Sequence, residues 1–180
     1  MKTRKKRRAL EILRLLVVGT MLGSLMFISD ILMEFLPNMH IVGALIITFT
    51  VVYRSWALIP IYVYVFLNGL YGGFALWWYP YLYVWLPLWV LAMLIPRRLS
   101  PKWRVPLYMI ICALHGFAFG VLYAPFQMLA FSFTPEMTVK WVIAGLPFDF
   151  IHGSFNFVAA TLVLPVSKAL ALVEQKTSLE

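Results

Sequence analysis

The sequence predicts an all-α membrane protein of six transmembrane helices with both termini in the cytoplasm. Three observations lead there. Hydrophobic residues make up 63% of the 180-residue chain and charged residues only 12%, whereas soluble proteins are about half apolar and about a quarter charged. A chain of this length holds about six spans of roughly 20 residues with short connections, which leaves no room for a separate soluble domain. With spans so placed, 14 of the 15 Lys and Arg residues fall on the inner side and only Lys140 on the outer, the asymmetry that the positive-inside rule requires. The net charge of +8 therefore reports topology rather than nucleic-acid binding. The expected organisation is a basic cytoplasmic tail (1–8), a transmembrane domain (9–170) and a cytoplasmic C-terminal tail (171–180).

The opening MKTRKKRR carries six basic residues and holds this end inside. Apolar sequence then runs from Leu10 to Leu36 with no clear small-residue cleavage site, so the segment reads as a retained span rather than a signal peptide. From about Ala9 to Leu36 the first span is some 40 Å long at 1.5 Å per residue, longer than the hydrocarbon core, and it must tilt or protrude. Glu11 and Arg14 can pair near its start, and Asp30 and Glu34 stand at its outer end. Gly19 and Gly23 form a GxxxG, with Thr20 and Ser24 one step round, which admits close approach of another helix from this chain or from a partner.

Pro37 and Asn38 make the first outer turn. The second span, about His40 to Tyr53, ends at Arg54, and the third runs from Trp56 to Gly72 and contains Asn68. Gly72-Gly73 breaks it on the outside. Leu70 to Trp89 then holds nine aromatic residues in twenty positions. An interfacial belt explains some of them. Trp78, Tyr81 and Trp85, however, share one face of a continuous helix and extend inward, where rings can stack on a flat ligand. The fourth span ends at Pro96, and Arg97, Arg98, Lys102 and Arg104 mark a cytoplasmic loop. The fifth, about Pro106 to Phe133, carries His115, Gly116 and Gly120, then Tyr123, Pro125 and Gln127. After the outer turn FTPEMT, Lys140 and Trp141 anchor the sixth span, which exits near Lys168.

The stretch GLPFDFIHGSFNF, Gly145 to Phe157, places Asp149, His152 and Asn156 inside this last span. At about 100° per residue they fall within roughly 60° of one another and form one polar stripe. An ionised carboxylate at mid-bilayer costs about 2.5 to 3.5 kcal/mol on insertion scales, so the stripe should face a partner, a cavity or a ligand. His115 reaches a comparable depth. Pro147 removes a backbone N–H and frees the carbonyl of Ile143 one turn above. Three readings stand side by side: a polar network joining the last two spans, direct ligand contact, and metal or catalytic chemistry. One Asp-x-x-His is weak as a metal signal, because helical two-metal sites duplicate the acid and histidine on other helices. HExxH, GxSxG and a Walker A loop do not occur in the sequence, and Cys112 is the only cysteine, so intrachain disulfides and thiolate clusters are excluded.

The size, the six spans with both ends inside, LPNMHIVG after the first span, the YxxxWLPLW pattern of the fourth and the closing GLPFDFIHGSFNF together resemble the substrate-binding S components of energy-coupling factor (ECF) transporters. The resemblance covers nearly the whole chain. It implies a multi-pass protein of the bacterial plasma membrane that captures a vitamin or related micronutrient at its outer face, with no catalytic activity, no cofactor and no metal. It also implies that a membrane T component and two cytoplasmic ATPase subunits drive uptake, with the S component toppling in the bilayer to release its ligand. The family's small-xxx-small contact with the T component, often two alanines, falls on Gly19 and Gly23, which keep the small size but depart in residue type. Its pocket falls on Trp78, Tyr81, Trp85, Tyr123, Gln127 and Asp149, beside His152 and Asn156 of the same stripe. A membrane enzyme using Asp149, His152 and His115, and a stand-alone facilitator, are the alternatives from other classes.

Overall fold

Long apolar runs broken only by short turns give helices throughout. The computed structural model describes residues 2–178, and all regular structure among them is helical. Met1, Leu179 and Glu180, at the ends of the two expected tails, lie outside the described residues. Helix α1 (Lys2–Met33) already includes the basic run, so residues 4–8 extend the first span as helix. Helices α2 (Val42–Tyr53) and α3 (Leu58–Gly72) are joined by the 3-10 turn Arg54–Ala57. There Arg54 has φ +57°, a left-handed conformation uncommon outside glycine. The turn is held from the side: the Arg54 guanidinium donates to the Met93 carbonyl, and the Arg54 carbonyl accepts from Trp89 Nε1 at 3.3 Å.

The aromatic segment departs from the expected continuous helix. It forms a 3-10 turn at Leu76–Trp78, a single turn α4 (Tyr81–Val84) and the nine-residue α5 (Leu86–Leu94). Pro80 and Pro87 have no N–H to donate, which interrupts the ladder of i to i−4 bonds at both places. The fifth span is likewise two helices, α6 (Pro101–Phe117) and α7 (Phe119–Ala130), with Ala118 at φ −93° and ψ 3° between them. Helix α8 (Pro135–Ala159) continues through Pro147, and α9 (Val163–Ser178) follows a 3-10 turn at Ala160–Leu162.

Four helical stretches, Arg4–Met33, Val42–Gly72, Pro101–Ala130 and Pro135–Lys176, are long and apolar enough to cross a membrane. Their outward faces carry large apolar side chains, among them Leu16, Met21, Leu25, Phe150 and Val158. That surface is compatible with a membrane protein, where lipid replaces water as its solvent.

Between helices in lipid the hydrophobic drive is weak, so close packing has to supply the attraction. Glycine provides it twice. Gly19 and Gly23 lie against α3: a Cβ on Gly19 would sit 2.7 Å from Ile59 Cγ2, and one on Gly23 2.6 Å from Val63 Cβ. The residue numbers rise together, so α1 and α3 run parallel. A Cβ on Gly116 would sit 2.7 Å from the Gly153 Cα. With Gly120 against Asp149 and Asn156 against Cys112, the numbers here rise and fall in opposition, and α6–α7 runs antiparallel to α8.

At one end of the bundle Glu174 of α9 pairs with Arg14 of α1 and accepts from Tyr53 Oη at 2.8 Å. The expected Glu11 partner of Arg14 is replaced by this tertiary contact. Arg97 donates to the Val52 carbonyl at 3.3 Å in the same region. At the other end Tyr64 donates to Asp30 at 2.8 Å, and Tyr71 reaches Glu34 at 3.5 Å.

Candidate functional site

The chain's three histidines are far apart in sequence, and the fold brings them together. His40 stands in the turn before α2, His115 near the end of α6, and His152 in α8. Their rings close a circuit with two larger ones. His40 lies 4.7 Å from His152 and 6.2 Å from Trp85, His152 lies 4.9 Å from Phe119, and Phe119 lies 5.6 Å from Trp85, centroid to centroid. His115 stacks on Trp85 at 5.6 Å and meets Phe119 edge-on at 6.0 Å.

The backbone explains why these side chains turn inward. Trp85 sits at the junction of α4 and α5, a position the flanking prolines create, and it is 1% exposed. Gly116 allows α6 to approach α8 until His115 and His152, each 3% exposed, share one interior. Asn156, one turn below His152, is fully buried, and its Nδ2 donates to the Cys112 carbonyl at 3.4 Å.

Polar atoms here lack protein partners. They are His40 Nδ1, Trp85 Nε1, His115 Nδ1, His152 Nε2 and Asn156 Oδ1. A buried polar atom left unmatched costs about 1 to 3 kcal/mol, so this interior holds hydrogen-bonding capacity that its protein neighbours leave unused. His115 Nε2 is engaged, at 2.8 Å from the Val84 carbonyl. Because a carbonyl can only accept, that nitrogen carries the proton, and the neutral ring offers Nδ1 as an acceptor. Among the described residues no group of three or more His, Cys, Asp or Glu is placed to hold a metal ion. The arrangement suits hydrogen bonding and ring contact rather than metal ligation.

Asp149 belongs to a different arrangement. Its two oxygens accept from the Gly120 N–H at 3.1 and 3.0 Å. The break at Ala118 makes Gly120 part of the first turn of α7, where N–H groups have no helical acceptor. Glycine also leaves room for the carboxylate, since a Cβ there would lie 2.6 Å from Oδ2. Asp149 thus caps a neighbouring helix, while His152 from the same stripe joins the ring cluster and Asn156 bonds the Cys112 carbonyl of α6.

The other sequence candidates divide in the same way. Trp78 does not share a helix with Trp85: it lies in the 3-10 turn before Pro80, and its Nε1 donates to the Val65 carbonyl at 2.8 Å. Tyr81 joins the cluster's edge, 5.6 Å from Trp85 and 6.3 Å from Tyr123. Tyr123 lies 5.5 Å from Phe119 and donates to the Trp77 carbonyl. Gln127 is eight residues past Phe119, about 12 Å further along α7, and half-exposed.

Sequence reasoning missed His40 and Phe119. His40 had a signal, as the one ionisable group of LPNMHIVG at the edge of an apolar run. Phe119 had none, being one of 14 phenylalanines. Beyond the cluster, Tyr64 links Trp85, 5.8 Å away, to Asp30, which lines a cleft of about 340 Å³ with Glu34, Asn68, Tyr71 and Trp77.

No protein-family model, curated protein or solved structure matches the chain.

Proposed function

We propose that this protein is the substrate-binding S component of an ECF-type importer in the bacterial plasma membrane, capturing a vitamin or related micronutrient at its outer face. The observation that carries the reading is the buried ring cluster, whose unmatched polar atoms sit inside an otherwise apolar helical chain. Those atoms leave hydrogen bonds that the protein itself does not supply, and the sequence contains no nucleotide-binding loop to move a ligand against a gradient. A partner module of T component and two ATPases supplies that work in this reading.

Six crossings with both ends cytoplasmic fit the path of the chain. Arg14, Arg54, Arg97 and Glu174 gather at one end, and that is the side on which the basic residues accumulate. His40 and the Asp30 cleft then belong to the outer half, from which a ligand arrives. The enzyme alternative uses Asp149, His152 and His115 together; Asp149 accepts from the Gly120 N–H, and His115 and His152 stand in the ring cluster.

Gentle extraction from the native membrane, followed by native mass spectrometry, tests the proposal. The expected result is a bound small molecule together with T and ATPase subunits. Vesicles containing this chain alone should show no concentrative uptake, and adding the partner module should restore it. Uptake by the chain alone would replace the proposal with a facilitator.

A further inference from the structure

The end of the bundle away from the Arg14–Glu174 pair combines open space with charge. The cleft of about 340 Å³ between α1 and α3 is lined by Asp30, Glu34, Asn68, Tyr71, Gly72 and Trp77, and its size is at the small end of the range of ligand pockets. Asp30 and Glu34 stand four residues apart where α1 ends and so share one face. Gly72 makes room for the Trp77 ring, since a Cβ there would lie 2.7 Å from Trp77 Cζ2, and Tyr71 rests edge-on against Phe27 at 5.8 Å. Two aromatic rings thus flank two acids.

The carboxylates are only partly used. Tyr64 donates to Asp30 Oδ2 at 2.8 Å and Tyr71 reaches Glu34 Oε2 at 3.5 Å, so Asp30 Oδ1 and Glu34 Oε1 accept no hydrogen bond from the described residues. The ion pairs among those residues are Arg14–Glu174 and Lys140–Glu136, and neither acid of the cleft has a cation beside it. A third acceptor comes from α3. Asn68 is only 8% exposed, and its Nδ2 donates to the Tyr64 carbonyl at 3.0 Å. Its Oδ1 accepts nothing from the described residues and opens on the cleft.

Three free acceptor oxygens, two of them on carboxylates, call for a cation that donates. Among the described residues no group of three or more His, Cys, Asp or Glu is placed to hold a metal ion. A primary ammonium matches the set, with one positive charge and three N–H donors. Its bonds to carboxylates are charge-assisted, and the Trp77 and Tyr71 rings add attraction for a cation.

We infer that this cleft binds a protonated primary amino group, carried by a small free amine or by a lipid headgroup. The inference goes beyond the importer reading and concerns a different part of the molecule from the ring cluster.

The test uses the full chain in phosphatidylcholine nanodiscs, titrated calorimetrically with phenylethylamine, with empty nanodiscs correcting for partition into lipid. Phenylethanol is the uncharged counterpart, and phenylethyltrimethylammonium the cation without N–H donors. The amine should bind, the alcohol should not, and the quaternary cation should bind about tenfold more weakly or worse. Glu34→Gln, at an exposed position, and Asp30→Asn, which keeps an acceptor for Tyr64, should each weaken amine binding about tenfold or more. Glu136→Gln, which removes a carboxylate already paired with Lys140, should leave it unchanged. Thermal melting confirms that each variant is folded. Nanodiscs containing phosphatidylethanolamine identify the source: loss of phenylethylamine binding there assigns the cleft to the headgroup, and undiminished binding assigns it to a free amine.

Equal affinity for the alcohol or the quaternary cation overturns the inference. So does amine binding that survives both cleft substitutions, absence of amine binding at millimolar concentration, or calcium binding that the amine does not displace. None of these results touches co-purification with the T component and ATPases, which stands or falls separately.

Discussion

Both carboxylate oxygens of Asp149 lie within hydrogen-bond distance of one backbone N–H, that of Gly120, at 3.1 and 3.0 Å. The contact crosses from α8 to the first turn of α7 and substitutes for a local cap. Replacing Asp149 by Leu strands the Gly120 donor in an apolar setting and should destabilise the protein by about 1 to 3 kcal/mol. Asp149→Asn keeps an acceptor and should recover most of that loss. Denaturation in detergent measures the order. Equal melting of the two variants would mean that the carboxylate does not act as a cap, and ligand contact would become its better explanation.

The glycines of α6 and α8 differ sharply in what they tolerate. A methyl group on Gly116 would meet the Gly153 Cα at 2.7 Å, whereas one on Gly145 meets nothing within 4 Å. Gly116→Ala should force the helices apart and cost about 1 to 3 kcal/mol. Gly145→Ala, at an open helical position, should be neutral or stabilise by up to about 1 kcal/mol. A thermal melt of the two variants side by side checks both signs at once.

Gly19 and Gly23 raise a question of which partner they serve. Both face α3 inside the chain, while Thr20 and Ser24 line an outward groove with Leu16, Met21 and Leu25. Gly19→Leu and Gly23→Leu should therefore lower the melting temperature of the isolated chain, and Thr20→Leu and Ser24→Leu should leave it unchanged. If the glycine variants instead fold normally but fail to co-purify with a T component, the partner contact expected from the GxxxG spacing is correct.

How much of this was legible in the sequence follows from range. Local features read well: the long apolar helices, the stripe of His152 and Asn156, and the small residues that permit close packing all depend on periodicity within one segment. What failed was tertiary. Nothing near Asp149 announces that its partner is a backbone N–H 29 residues away, because any residue type can offer one. Arg14 had Glu11 at helical spacing, and the fold gave it Glu174 across the bundle. The break at Pro80 and Pro87 was written in the sequence, yet the density of rings around it resembled a continuous aromatic face. His40 became part of the site only when the turn before α2 folded against α8.

The Arg14–Glu174 contact offers a direct comparison. Glu174 also accepts from Tyr53 at 2.8 Å and ties α9 to α1 and α2, whereas Glu11 is exposed. Glu174→Gln should cost on the order of 1 kcal/mol, as expected of a partly solvated pair, and Glu11→Gln close to nothing. Raised salt should shrink the difference, since screening weakens an ion pair at this depth.

Trp78 and Trp85 separate stability from binding. The Trp78 indole donates to the Val65 carbonyl at 2.8 Å, so Trp78→Phe gives up a protein hydrogen bond and should cost about 1 kcal/mol. The Trp85 indole N–H has no partner within the protein, so Trp85→Phe removes an unmatched donor together with some ring volume. Its effect on stability is then a small difference between a gain and a packing loss. Its effect on a ligand is not, because the donor that would orient the ligand is gone. Trp78→Phe should accordingly melt lower with affinity retained, and Trp85→Phe should melt near the parent with affinity lost. Calorimetric binding and thermal melts of both variants distinguish the two roles. A Trp85→Phe variant that melts several degrees lower and still binds would show that its indole is structural and that the ligand lies elsewhere.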